Sequence, residues 1–109
     1  MLFCIRKEVL RMLNYAEVVN EVQSYMAGVG GNWSDWYVGI TSDIKSRLFS
    51  EHGVDEKTDR WIFRLCVNSA TARQAEDYFV KKGTKGDTGG GDYFSNFLYA
   101  YLVTSKTRE

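Results

Sequence analysis

Proline does not occur in this 109-residue chain, so glycine does the work of breaking its helices and strands. Cysteine is scarce as well. Cys4 and Cys66 stand far apart, which excludes a disulfide framework or metal spacing and implies reduced, packed thiols in a cytoplasmic protein. Histidine occurs once, at His52. No apolar run approaches the roughly 20 residues that span a bilayer, which argues against a membrane protein. The opening MLFCI is cut off at once by Arg6, Lys7 and Glu8, and is too short for a signal-peptide core. Met12 is a second candidate start, which would make Met1 to Arg11 an upstream extension.

Charge of one sign is also missing, since 14 basic side chains balance 14 acidic ones. Strong, non-specific affinity for nucleic acid rests on neutralising phosphates, so any binding of DNA is expected to be weak. Local basic clusters remain, Lys81, Lys82 and Lys85 in one and Lys45 with Arg47 in the other. Each reads either as solvated surface or as a docking point for nucleic acid.

What the chain does have is enough apolar and aromatic residues for one domain around one core. Ala16, Val19, Gln23 and Met26 fall at helical spacing with Val18, Val22 and Tyr25 beside them, which predicts a helix over 9–26, ended by the glycines from Gly28 to Gly31. Trp36 to Thr41 reads as a strand, and the capping types Thr41, Ser42 and Asp43 open a helix over 43–51 that Gly53 stops. Trp61, Phe63, Leu65 and Val67 alternate onto one face of a second strand over 61–67. A helix over 70–82 and a strand over 96–103 complete the pattern. The expected fold is α+β, a small sheet of about three mainly antiparallel strands flanked by helices.

Within the first strand Tyr37, Gly39 and Thr41 share a face. The glycine leaves room there for a ligand to approach the backbone. In the next helix Ile44 and Leu48 form the buried stripe and Arg47 lies on its shoulder. Glu76 falls on the apolar side of its helix with Ala72, Ala75, Phe79 and Val80. A carboxylate so placed is costly unless paired or bound to a cation. The other reading makes it a rim glutamate paired with Arg73 or Arg64. The loop KGDTGGGD lacks the Lys-Ser/Thr ending and following helix of a P-loop, and reads as a connection into the last strand.

The run Tyr37 to Leu48, Y-V-G-x-T-x-D-I-x-x-R-L, resembles the second half of the GIY-YIG nuclease signature. With Glu76 on the later helix, the resemblance spans Trp36 to Gly83, about half the chain. It implies a single GIY-YIG-like domain over 1–109 with an N-terminal helical extension. It also implies metal-dependent hydrolysis of DNA phosphodiesters, with Tyr37, Arg47 and Glu76 in the site and magnesium or manganese on Glu76. The family often places a histidine or tyrosine four residues after the arginine. Glu51 stands there and His52 one residue beyond, about 140° around a helix from Arg47. His52 is therefore either a catalytic residue swung into the site as the helix ends or a helix-end histidine favoured by the dipole. The family's Gly-Ile-Tyr strand is missing, and Tyr25 sits in a helical pattern. FLYAYLVT, Phe97 to Thr104, has the texture of the absent strand. The expectation is a circularly permuted arrangement in which this strand pairs with the Tyr37 strand and Tyr99 or Tyr101 replaces the lost tyrosine. The alternative is a non-cutting, nuclease-like binding protein of a phage or mobile element, for example an anti-CRISPR inhibitor of a host nuclease or CRISPR effector complex.

Overall fold

Two segments of the chain, residues 11–86 and 94–109, are described by the computed structural model. The first strand, β1 (Trp36–Thr41), lies at one edge of a three-stranded sheet. The last, β3 (Phe97–Leu102), lies in the middle, and β2 (Trp61–Leu65) forms the other edge. Both pairings are antiparallel, so the fold is the small α+β sheet that the hydrophobic pattern predicts.

Helices α1 (Tyr15–Val29) and α2 (Ser69–Lys82) pack on one face of this sheet. There Val18, Val22, Met26, Ala72, Ala75 and Phe79 meet Trp36, Val38, Ile40, Ile62, Leu98 and Ala100 in one core. The opposite parity of the strands builds a second, smaller core of Tyr37, Tyr99 and Tyr101 with Ile44, Leu48 and Val54. Alternation of side chains along each strand is what separates the two.

Several boundaries differ from expectation, each for a local reason. Residues 9 and 10 of the expected first helix lie outside the described residues, and residues 11–14 are not helical. Instead Leu13 is pinned beside β2, its N–H donating to the Leu65 carbonyl and its carbonyl accepting from Val67. Helix α1 starts after Asn14, whose side chain accepts from the Glu17 N–H while the Glu17 carboxylate accepts from the Asn14 N–H. This reciprocal capping box outweighs the apolar spacing that runs upstream of it. At its far end α1 runs on to Val29 and stops at Gly30, where φ is 106°. The second strand stops at Leu65 rather than residue 67, and Cys66 pairs with Leu13 outside the sheet. Helix α2 begins one residue early, at Ser69, because the Asn68 side chain caps Thr71 at 2.8 Å.

The segment expected to be an α-helix over 43–51 is a π-helical turn over Lys45–Glu51. Its closing bond runs from the His52 N–H to the Arg47 carbonyl, five residues back, at 2.9 Å. The outer edge of β1 is covered where Lys85 exchanges two backbone bonds with it, to Trp36 and from Val38, which leaves less of that edge open to another strand. Most of the glycine-rich loop, residues 87–93, lies outside the described residues, as does Cys4. Cys66 is a buried free thiol, pushed up to about 11 by its burial. Among the described residues no helix is long and apolar enough to cross a membrane.

The register sets Gly39 opposite Tyr99, and the Tyr99 ring lies over the glycine. A β-carbon at position 39 would stand 2.6 Å from the ring's Cζ. Gly39→Ala is therefore expected to destabilise the fold by about 1–3 kcal/mol, the usual cost of overpacking. Urea unfolding checks this, and the loss should shrink in a Tyr99→Leu background if the ring is its cause.

Candidate functional site

The second core gathers three of the expected site residues, Tyr37, Tyr99 and Tyr101. Because β3 pairs directly with β1, Tyr101 stands opposite Tyr37 and Tyr99 opposite Gly39. The Tyr37 ring stacks on both, with centroids 5.3 Å from Tyr101 and 6.3 Å from Tyr99. The last strand thus pairs with the Tyr37 strand, as expected, and brings its two tyrosines to Tyr37. The space above Gly39 is not left for a ligand, as the sequence suggests, because the Tyr99 phenol occupies it.

His52 completes the cluster. On an α-helix it would point well away from Arg47, since about 100° separates successive residues. The π-helical turn takes five residues to close instead of four, so its closing bond sets His52 over Arg47. The imidazole is 4% exposed and its ring centroid is 4.7 Å from that of Tyr37. Its Nε2 lies 2.8 Å from the Tyr99 hydroxyl. Its Nδ1 lies 2.5 Å from the backbone carbonyl of Arg108 and 3.0 Å from the Tyr101 hydroxyl.

These contacts determine where the proton sits. A carbonyl only accepts, so the hydrogen belongs on Nδ1. Tyr101 donates its own O–H to the same carbonyl, at 3.2 Å. In the neutral ring Nε2 then carries the lone pair and accepts from the Tyr99 hydroxyl. Burial lowers the pKa of His52 from its ordinary value, against the opposing pull of the Arg108 carbonyl, so the ring is neutral near pH 7. Burial raises the phenols of both Tyr99 and Tyr101. Arg47 is the nearby cation that could lower a tyrosine here. Its charge does act on Tyr99 in that direction, but desolvation outweighs it.

Arg47 sits at the edge of the cluster, its side chain 38% exposed and paired with Glu51 at 3.1 Å. Glu51 thus answers the arginine's charge, one helical step before the histidine. Glu76 is 1% exposed, on the inner side of α2 and not at a rim. Arg64, one of its suggested partners, is bound to Glu21 at 2.6 Å. Behind desolvation by burial, the charge of Arg47 lowers Tyr99 and that of Glu76 raises it.

The basic residues do not form one track. Lys45 is exposed on the π-helical turn, two residues from Arg47. The Lys85 ammonium donates to the Ser34 carbonyl at 2.8 Å. Lys81 and Lys82 are exposed at the end of α2 and line a groove with Tyr15, Gln74, Asp77 and Tyr78. That groove belongs to the helical layer, across the sheet from the tyrosines.

For a divalent metal the donor set is small. Among the described residues no group of three His, Cys, Asp or Glu side chains could hold an ion. Magnesium also binds through a single carboxylate when substrate phosphate and water fill its other positions. Glu76, a single carboxylate at 1% exposure, does not by itself make a resident site.

Two participants give no sequence signal. Arg108 contributes a backbone carbonyl, which any residue has, and Gly53 reads only as a helix stop. In the fold Gly53 has φ of 71° and lies against the Arg108 guanidinium, 2.9 Å from where a β-carbon would stand. No family model, curated protein or solved structure matches the chain.

The lowered pKa of His52 has a consequence for stability. The unfolded chain takes up a proton on this histidine near pH ~6.5, whereas the folded chain resists it. The stability that its neutral burial contributes is therefore full above about pH 6.5 and declines as pH falls below it. The groups facing the ring are Tyr37, Tyr99, Tyr101, Arg47, Glu51 and Arg108. Urea midpoints at pH 7.5 and 5.5 should show a larger acid loss in the wild type than in His52→Gln. Equal losses would mean that the histidine is protonated as readily in the fold as outside it.

Proposed function

We propose that the chain is a metal-dependent phosphodiesterase of the GIY-YIG type acting on DNA, its first motif replaced by the last strand. The observation that carries this reading is the register of β3 on β1, which sets Tyr101 against Tyr37 and lays Tyr99 over Gly39 within reach of His52. The cluster holds tyrosines, a neutral imidazole and an arginine, and the buried Glu76 on α2 acts on Tyr99 through its charge; these are residue types that the resemblance calls for.

The chemistry follows from where protons can go. Raised phenols do not supply a standing phenolate, so a tyrosine acts by passing a proton on. A water hydrogen-bonded to the Tyr99 oxygen gives up a proton there while Tyr99 passes its own to His52 Nε2. The phenol is neutral before and after the step, and the charge gained resides on the imidazole. This is general-base catalysis through a hydroxyl. Arg47, the outward-facing cation of the cluster, exchanges Glu51 for the scissile phosphate and stabilises the charge that builds on it. Magnesium or manganese, when bound, would be held on Glu76 and supply Lewis-acid charge to a phosphate oxygen.

A second reading, a nuclease-like binding protein that does not cut, is favoured by two observations. Tyr99, Tyr101 and His52 are 2%, 0% and 4% exposed, and Arg47 is already paired with Glu51. Its partner would be a protein, such as a host nuclease or CRISPR effector complex, and the origin a phage or mobile element.

Incubation with supercoiled and branched DNA in magnesium or manganese separates the two. Wild type should cleave, and Arg47→Ala, Glu76→Gln and Glu76→Ala should each lower the rate by about 100-fold or more. A clean preparation that leaves DNA intact, yet binds an effector complex tightly, establishes the second reading instead.

A further inference from the structure

The contacts of Arg108 go beyond those of a surface arginine. Its guanidinium donates to the Ser50 carbonyl at 2.9 Å and to the Glu51 carbonyl at 3.2 Å. Both carbonyls stand at the end of the π-helical turn, where helical acceptors lack partners within the helix. Its backbone N–H donates to the His52 carbonyl at 2.7 Å. Its backbone carbonyl, facing inward, accepts from His52 Nδ1 and from Tyr101. Gly53 accommodates the guanidinium where any side chain would collide with it. One residue therefore grips the turn from outside and receives the imidazole from inside.

We propose that Arg108 is a positioning residue for His52: its side chain clamps residues 104–109 to the end of the π-helical turn, so that its carbonyl holds the Nδ1–H tautomer and aims the Nε2 lone pair at the Tyr99 hydroxyl. A free neutral imidazole favours the other tautomer, with hydrogen on Nε2. In that form the ring would present a donor to Tyr99 and could take no proton from it. The Tyr101 hydroxyl cannot fix the tautomer, because it can donate to or accept from Nδ1 as needed. Only the carbonyl is restricted to accepting. The turn of Thr104 and Thr107, closed by the Thr107 hydroxyl at 3.0 Å from the Thr104 nitrogen, brings Arg108 back beside β3. The guanidinium then secures it.

The tautomer itself can be read without any substrate, and His52 is the only histidine in the chain, so its ring-nitrogen resonances need no assignment strategy. Two-dimensional ¹⁵N–¹H spectra of the imidazole in the full chain at pH 7.5 should show a protonated Nδ1 and an unprotonated Nε2. In Arg108→Ala the populations should move toward Nε2–H, while Arg108→Lys, which keeps a cation able to reach one carbonyl, should fall between. Thermal unfolding of each variant verifies that the fold is retained. A wild type with Nε2–H, or an Arg108→Ala spectrum identical to wild type, overturns the assignment.

The catalytic consequence rests on the phosphodiesterase reading, and the two fail separately. If the tautomer shifts as expected but wild type does not cleave DNA, the positioning role stands and the phosphodiesterase reading falls. If wild type cleaves, Arg108→Ala should lower kcat about 10-fold or more with little change in KM, since the clamp touches no substrate. An unchanged kcat despite a shifted tautomer removes the catalytic consequence.

Discussion

The ring of Tyr99 laid across Gly39 is the contact on which the rest of the second core depends. β3 is the central strand, so its residues meet neighbours on both sides. Tyr99 opposes Gly39 on one flank and Phe63 on the other. With any side chain at position 39 the phenol would be displaced from the strand surface. Its hydroxyl would then leave the 2.8 Å contact with His52 Nε2. Tyr101, two residues on, stacks with Tyr37 only in the same register. Slipping the register by one residue would send both tyrosines to the helical face, into a core whose strand side includes Ala100 and Leu98. The larger hydrophobic core thereby holds the polar cluster in place from across the sheet.

The π-helical turn solves a different problem. Its carbonyls at Ser50 and Glu51 need donors at a point where the chain bends through Gly53, and Arg108 supplies them. Widening the turn to five residues brings His52 under the sheet, while Glu51 remains near Arg47 on the exposed side. Two side chains adjacent in sequence consequently serve opposite environments. Glu51 meets the arginine in water, and His52 meets phenols and a carbonyl away from it. Wide turns of this kind occur often at functional sites, and here the geometry is tied to a particular hydrogen-bonding demand.

Much of this was legible from the residues. Alternation located the second strand, aromatic and aliphatic texture located the first and last, and the contrast between Ile44, Leu48 and Arg47 located the face of the second helical segment. Tyr37 with Tyr99 or Tyr101 followed from the texture of FLYAYLVT. What escaped has physical reasons. The start of α1 depends on the reciprocal bonds of Asn14 and Glu17, a local signal overshadowed by apolar spacing upstream. The π-helical turn leaves no trace in periodicity over seven residues, so His52 looked out of phase with Arg47. The function of Gly39 was inverted, because an empty position in sequence says nothing of which distant ring will fill it. Arg108 acts through its backbone carbonyl, and composition carries no information about that.

Burial acts on the two kinds of titratable group in the cluster in opposite senses, and together these restrict the direction of proton movement. Desolvation disfavours whichever form is charged. It holds Tyr99 and Tyr101 as neutral phenols and His52 as a neutral imidazole. A neutral network has one vacant acceptor site for a proton, and the Arg108 carbonyl decides which. With hydrogen committed to Nδ1 by an acceptor that cannot reverse its role, a proton entering through Tyr99 can reside only on Nε2. It cannot continue outward through Nδ1 unless the Arg108 contact opens. The imidazolium so formed lies near the Arg47 cation, whose charge lowers the histidine's affinity for a proton, and near Glu51, which raises it. An anion that drew Arg47 toward itself would weaken that repulsion and make His52 a stronger base. Through this coupling, occupation of the exposed arginine by a phosphate would be sensed at a histidine sealed beneath it.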